Sequence, residues 1–350
     1  MRRRHQLFKA DYKHDERMLE LLVASVMGLW ATYFFITRVV VKMFPSWGIV
    51  GVDVHKPDKP SIPEMGGTAL LVGISCFVVV TILLDALTYE LLAIFLTIMV
   101  AGAIGIADDV FKLNKRVKPA LCMLAGLPIV LMGTYPKNLA LPFSISFHIS
   151  TLYPLLVLVA LTVTANSINM FDVMNGVASG TSSVVLVALV LSWFVKFIVT
   201  GGSGMASIID GALMVLPPVA LLFFYNRYPS KIFLGDTGTL SMGAAIGAVA
   251  IVYGLEFPAV VAMMVPITNA FFSIFSHGGL FERSELKERP ILIGEDGRLS
   301  SNPSPKAPLT LTRLMLLLGY DNEKDLFTGF MELTLAMALA AIICGVFVWW

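Results

Sequence analysis

Charge is scarce in this sequence. Aspartate, glutamate, lysine and arginine make up 14% of its 350 residues, whereas 57% are hydrophobic and the mean hydropathy is +0.82. A soluble domain carries about 25% charged residues, so too little polar surface is present to cover a water-exposed globule. A soluble enzyme is therefore excluded. The net charge of +1 supplies no general attraction for a polyanion, and no nucleic-acid partner is expected. Cysteine is nearly absent too. Cys76, Cys122 and Cys344 lie far apart in apolar runs, which excludes a disulfide framework and a zinc site.

What the sequence has in abundance is apolar length. A helix needs about 20 apolar residues to cross the hydrocarbon layer. Ten runs near that length are bounded by charge, Gly or Pro: 18–41, 66–84, 91–107, 119–136, 149–165, 176–195, 211–226, 238–255, 257–276 and 327–350. Backbone groups cannot go unpaired in lipid, so each run predicts a helix. The expectation is an all-α, polytopic membrane protein of about ten transmembrane helices in a single domain over residues 1–350. Residues 1–17 form a charged tail, and 277–326 form a long loop with turns at Gly278-Gly279 and at 294–297.

Basic residues fall unevenly between the two loop sets. Loops after odd-numbered spans hold 16 of the 25 Lys and Arg residues, and the even-numbered loops contribute only Lys137 and Lys196. The positive-inside rule then places the odd loops in the cytoplasm of a multi-pass cell-membrane protein. The tail with Arg2, Arg3, Arg4, Lys9, Lys13 and Arg17 runs against this rule, because an even span count puts it outside with the C-terminus.

Four polar clusters sit at the predicted cytoplasmic helix ends. They are Lys56 to Gly67, Asp108 to Lys118, Asn166 to Gly176 and Phe233 to Gly238. Adjacent carboxylates such as Asp108 and Asp109 need a cation or a basic side chain at a low-dielectric boundary. Asn166, Asn169, Asp172 and Asn175 recur every third residue, which on a helix makes one stripe of oxygen ligands. Oxygen donors without clustered His or Cys favour magnesium or manganese. Lys112, Lys115, Arg116 and Lys118 would meet phosphate. Plainer roles exist for each cluster: topological anchors for the basic residues, a helix cap for the Asp pair, helix packing for the asparagines. His277 is a lone histidine, and Glu64 alone reads as a solvated loop residue.

From Lys56 to Arg298 the chain resembles the polyprenyl-phosphate N-acetylhexosamine-1-phosphate transferase family, of the glycosyltransferase family 4 type. The segments SIPEMGG, GIADDVFKLNKRVK, NSINMFDVMNG and FLGDTG carry the likeness, closest to archaeal and eukaryotic dolichyl-phosphate N-acetylglucosamine phosphotransferases. The resemblance implies a UDP-N-acetylhexosamine donor and a polyprenyl or dolichyl phosphate acceptor that stays in membrane lipid. It implies that Asn169 and Asp236 hold magnesium, or manganese in its place, with Asp108 and Asp109 beside it and Lys118 on phosphate. Asn175 would meet the uracil edge, Phe233 would stack on the ring, and Glu64 would hold the nucleoside or sugar end, with Asn166 also lining the substrate site. Arg289 first and Lys287 second stand in for the donor-binding arginines of eukaryotic relatives, while Arg283 is a third basic residue there. The histidine-rich segment of the bacterial branch is missing. Asp172 matches an acid of that branch and receives no role. The sugar, the polyprenol and the oligomeric state, a homodimer included, stay open, and a secondary transporter of a phosphorylated or nucleotide-linked anion is the competing class.

Overall fold

A computed structural model describes the backbone of residues 2–54, 56, 58–114, 116–143, 145–202, 207–279, 288–294 and 296–349, with side chains for all of these except 2–14 and 277. The fold is mostly helical. Among the described residues thirteen α-helices run in chain order: α1 (Arg2–Phe35), α2 (Thr68–Leu83), α3 (Tyr89–Phe111), α4 (Val117–Cys122), α5 (Leu127–Met132), α6 (Tyr153–Phe171), α7 (Val177–Thr200), α8 (Ile208–Asn226), α9 (Gly235–Val252), α10 (Glu256–Ala262), α11 (Met264–His277), α12 (Leu311–Leu317) and α13 (Glu323–Trp349). Among the described residues strand content is confined to three antiparallel hairpins: β1 (Val50–Val52) with β2 (Ser61–Pro63), β3 (Asn138–Leu141) with β4 (Ile145–His148), and β5 (Ile291–Ile293) with β6 (Leu299–Ser301).

Among the described residues seven helices are long and apolar enough to cross a membrane, and α10 with α11 makes an eighth if that pair, bent by 66°, counts as one span. This is fewer than the ten expected from hydropathy. The shortfall lies in α2, which has only 16 residues, and in 117–132, where a 3₁₀ turn at Met123–Gly126 separates α4 from α5. Pro119 and Pro128 sit in this stretch, and each lacks the N–H that an uninterrupted helix would use. The charged tail also differs from a plain extension, because its backbone from Arg2 onward is helical and runs unbroken into the first span.

The helix ends sort onto two faces. On one, the carboxyl ends of α3, α6 and α8 meet the amino ends of α2, α7, α9 and α13. On the other, Arg17 of α1 pairs with Asp210 of α8 at 2.5 Å, Lys196 of α7 donates to the Tyr253 carbonyl at 2.9 Å, and the Tyr153 hydroxyl of α6 donates to Glu256 of α10. Phe143 N–H also reaches the Phe347 carbonyl of α13 there, at 2.7 Å. The start of the first span and the end of the last thus share the face opposite the polar clusters.

Helix α9 is the hub. Its residues from Thr237 to Ile251 are all buried, between α3 and α6. Its sequence, rich in Gly, Ala and Ser, lets neighbouring backbones approach closely, which is how helices associate where lipid supplies no hydrophobic contrast. A Cβ added at Gly67 would stand 2.1 Å from Gly238 Cα, so the entry to α2 and the first turn of α9 touch backbone to backbone.

Candidate active site

The loop entering α2 runs alongside the loop entering α9. Phe233 N–H donates to the Pro63 carbonyl at 2.8 Å, Gly66 N–H to Phe233 at 2.8 Å and Gly67 N–H to Leu234 at 2.9 Å. This backbone ladder joins the first polar cluster to the fourth, and it puts Glu64 and Phe233 around Gly51 of β1. A Cβ built on Gly51 would lie 2.9 Å from the Phe233 ring and 3.5 Å from the Glu64 carboxyl carbon. Phe233 and Glu64 are each half-buried. Burial raises the Glu64 carboxyl above its ordinary value, with Asp109 adding to the rise and Lys112 opposing it.

Lys118 is the centre of the second, third and fourth clusters. Its Nζ donates to Asp108 Oδ2 at 2.9 Å, to Asn169 Oδ1 at 3.1 Å and to Asp236 Oδ2 at 2.7 Å. Asn169 in turn donates from Nδ2 to Asp236 Oδ1 at 2.5 Å and to Thr239 at 2.8 Å, which fixes its amide so that the carbonyl oxygen faces the ammonium. Asp108 is 6% exposed, and its other oxygen accepts from Leu113 N–H at 2.7 Å, closing the turn after α3. Three side chains from three helices therefore present oxygen to one cation.

Asp109 faces elsewhere. Its two oxygens accept from Asp236 N–H at 2.8 Å, Thr237 N–H at 3.0 Å and the Thr237 hydroxyl at 2.6 Å. Helix α9 opens on N–H groups that lack intrahelical partners, and Asp109 satisfies two of them from α3. Gly235 is required next to it: its φ is +68°, and a Cβ there would lie 2.7 Å from Asp109 Oδ2. The adjacent acids avoid repelling each other because one meets an ammonium and the other a helix amino end.

The asparagine stripe is shorter than its spacing suggests. Helix α6 ends at Phe171, and Asp172 has φ −77° and ψ 66°, outside the helical region, so only Asn166 and Asn169 share a helix. Asn166 turns its Nδ2 back to the Thr162 carbonyl at 2.9 Å. Asn175 lies beyond the helix, buried, with its N–H on Glu323 Oε1 at 2.9 Å and its Nδ2 on Asp53 Oδ2 at 3.0 Å. Asp53 and Glu323 carry no motif and were not expected; the only local hint is that Asp53 precedes Lys56 by three residues and is ion-paired with it. Arg289 is exposed, its carbonyl accepting from Asn302 at 2.8 Å, and among the described residues no hydrogen bond or ion pair joins it to the Lys118 cluster. Lys115, Arg283 and Lys287, and the side chain of His277, lie outside the described residues.

The convergence on Lys118 also tests the fit of a metal. Among the described residues no group of three or more His, Cys, Asp or Glu side chains is arranged to hold one. Two carboxylates and one amide oxygen nevertheless meet at a point that already carries positive charge. Such a set suits magnesium, which takes one or two carboxylates and completes its shell with water and substrate phosphates. A transporter would place its polar site near the midplane in interrupted helices. Here the cluster stands at helix ends on one face.

The family model for glycosyl transferase family 4 matches residues 91–254, from the start of α3 past the end of α9. A Saccharolobus solfataricus protein named as a UDP-N-acetylglucosamine–dolichyl-phosphate N-acetylglucosaminephosphotransferase is 29% identical over 73% of this chain and 78% of its own length. A Methanocaldococcus jannaschii protein named as a glycosyltransferase is 30% identical over 71% of this chain and 73% of its own, and a Bacillus subtilis protein named as an undecaprenyl-phosphate N-acetylglucosaminyl 1-phosphate transferase is 29% identical over 79% and 75%. With these relatives matched over most of their length, and the family model lying across the helices that carry Asp108, Lys118, Asn169 and Asp236, the chain belongs to glycosyl transferase family 4.

Proposed function

We propose that the protein transfers N-acetylglucosamine 1-phosphate from a UDP-sugar to a polyprenyl or dolichyl phosphate, releasing UMP at the cytoplasmic face of the cell membrane. The observation that carries this reading is the oxygen cage around Lys118 at the membrane-surface end of α3, α6 and α9. The names of the relatives supply the substrates. A lipid phosphate keeps its chain in the bilayer while its headgroup meets a soluble nucleotide at such a surface.

An ionised phosphate is already a nucleophile, so the protein mainly has to bring two anions together and neutralise their charge. Asp236 and Asn169, with Asp108 beside them, would hold magnesium, which when bound supplies charge neutralisation for the donor phosphates and the departing UMP oxygen. Lys118 offers its ammonium to a phosphate oxygen in exchange for one of its present acceptors. Both oxygens of Asp108 already accept hydrogen bonds, which supports a charge-organising role over that of a proton acceptor. Asp109 keeps the first turn of α9 in place, so that Asp236 stands next to Lys118. Phe233 and Glu64, side by side on the ladder, are suited to the ring and ribose or sugar end of the donor.

Incubation of the purified protein with magnesium, a polyprenyl phosphate and a panel of UDP-sugars tests this. UMP and a lipid-linked product are expected with UDP-N-acetylglucosamine. Absence of both with every donor would overturn the reading.

A further inference from the structure

The β3–β4 hairpin has two unlike sides. Its register pairs Asn138 with His148, Leu139 with Phe147, Ala140 with Ser146 and Leu141 with Ile145. Residues directly opposite on antiparallel strands share a side, and neighbours along a strand alternate. One side is therefore wholly apolar, with Leu139, Leu141, Ile145 and Phe147. The other is small and polar, and on it His148 Nδ1 lies 2.6 Å from Asn138 Oδ1. Leu139 packs against the main core, so the apolar side is turned toward the bundle. Ile145 and Phe147, one strand further out on that same side, are nevertheless 47% and 51% exposed. Strand β4 thus overhangs the edge of the bundle with its apolar side toward the bilayer.

Helix α13 fixes the depth of the hairpin. Phe143 N–H donates at 2.7 Å to the carbonyl of Phe347, in the last turn of α13, where carbonyls have no partner within the helix. The two rings lie 6.3 Å apart. Phe143 has φ +65°, a conformation rare for a bulky residue, and its ring is 79% exposed at the level where the last span leaves the membrane. Lys196 Nζ stands 5.5 Å from the ring of Trp349, two residues beyond Phe347, and such aromatic and lysine side chains gather at the boundary of lipid and water. Phe347 also belongs to the exposed apolar row Leu339, Ile343 and Phe347 of α13, which the hairpin tip extends. We propose that the β3–β4 hairpin lies in the membrane surface opposite the Lys118 face, with Phe143, Ile145 and Phe147 among lipid acyl chains and Ser146 and His148 toward water. Its partner is lipid, and the inference holds whichever donor and acceptor the enzyme uses.

Single cysteines along β4 test this: Ile145→Cys, Ser146→Cys, Phe147→Cys and His148→Cys in the cysteine-free full-length protein, each labelled with an environment-sensitive fluorophore in phosphatidylcholine nanodiscs. Labels at 145 and 147 are expected to emit to the blue, to be quenched by nitroxides on lipid acyl chains and to be shielded from aqueous iodide. Labels at 146 and 148 are expected to show the reverse, so that quenching alternates along the strand. Cooperative melting at the parent's temperature marks the variants that fold, and either neighbouring pair, 145 with 146 or 147 with 148, carries the test by itself. Iodide quenching of all positions alike would overturn the inference, because β4 would then stand in water. Lipid quenching of all positions alike would overturn the surface-lying arrangement. Labels at 145 and 147 shielded from both quenchers, with the Phe147→Cys protein forming disulfide-linked dimers, would overturn it in favour of a second copy covering this side.

Discussion

At the scale of single residues, the two adjacent aspartates do different work, and substitution separates them. Replacing Asp109 with Ala leaves the Asp236 and Thr237 N–H groups at the start of α9 without their acceptor, and loss of such a cap costs about 0.5–2 kcal/mol. Its expected signature is a lowered melting temperature in detergent together with reduced turnover. Lys118→Met instead removes the cation that pairs with both Asp108 and Asp236. Transfer is expected to fall by about 10²-fold or more, as when one preorganised charge partner of a transition state is lost. A Lys118→Met protein with wild-type turnover would contradict its placement on phosphate. Glu64 gives a pH test. Its folded value is raised above 4.5, so the folded state holds the proton more tightly, and stability declines as pH climbs from the ordinary glutamate value to the raised one. Glu64→Gln should flatten the melting-temperature profile across that window. The residue types of the site were readable from spacing, because carboxylates, amides and lysines at helix ends are costly without a task. Their pairing was not. Asp109 caps a helix that begins 126 residues later in the chain, and Asp53 reaches Asn175 across 122, distances over which no local pattern operates.

At the scale of elements, hydropathy located the apolar segments because the bilayer imposes a minimum length on any span. It overcounted the long helices, since composition does not register where a helix breaks: α2 stops after 16 residues, and the run from Val117 to Met132 is divided by a 3₁₀ turn. The register of α9 depends on close backbone contact. Gly67→Ala would force a methyl group into Gly238, and overpacking of this kind costs about 1–3 kcal/mol. The expected outcome is lower thermal stability with a displaced α9 amino end, hence weaker transfer. An unchanged melting temperature and turnover would show that the contact is dispensable. The stripe of asparagines illustrates the limit of periodicity: a three-residue spacing continues past Phe171, but the helix does not.

At the scale of the whole molecule, the ends of the helices alternate between a polar-cluster face and a face shared by the start of α1's span and the end of α13. The basic tail that ran against the positive-inside count thus leads into the face opposite Lys118, and Arg17 there has a specific partner in Asp210. Cysteines placed at Lys59 and at Lys137 of a cysteine-free protein should label from opposite sides of an intact membrane, with position 137 reached from outside; the reverse pattern would invert the proposed orientation. The central claim is that the transferred group is a sugar phosphate and not a sugar, and a donor labelled at its β-phosphorus decides it. With UDP-N-acetylglucosamine carrying ³²P at that position, magnesium and a polyprenyl phosphate, the label is expected to move into the lipid fraction while unlabelled UMP leaves. Label recovered as UDP, with the sugar alone on the lipid, would contradict the account.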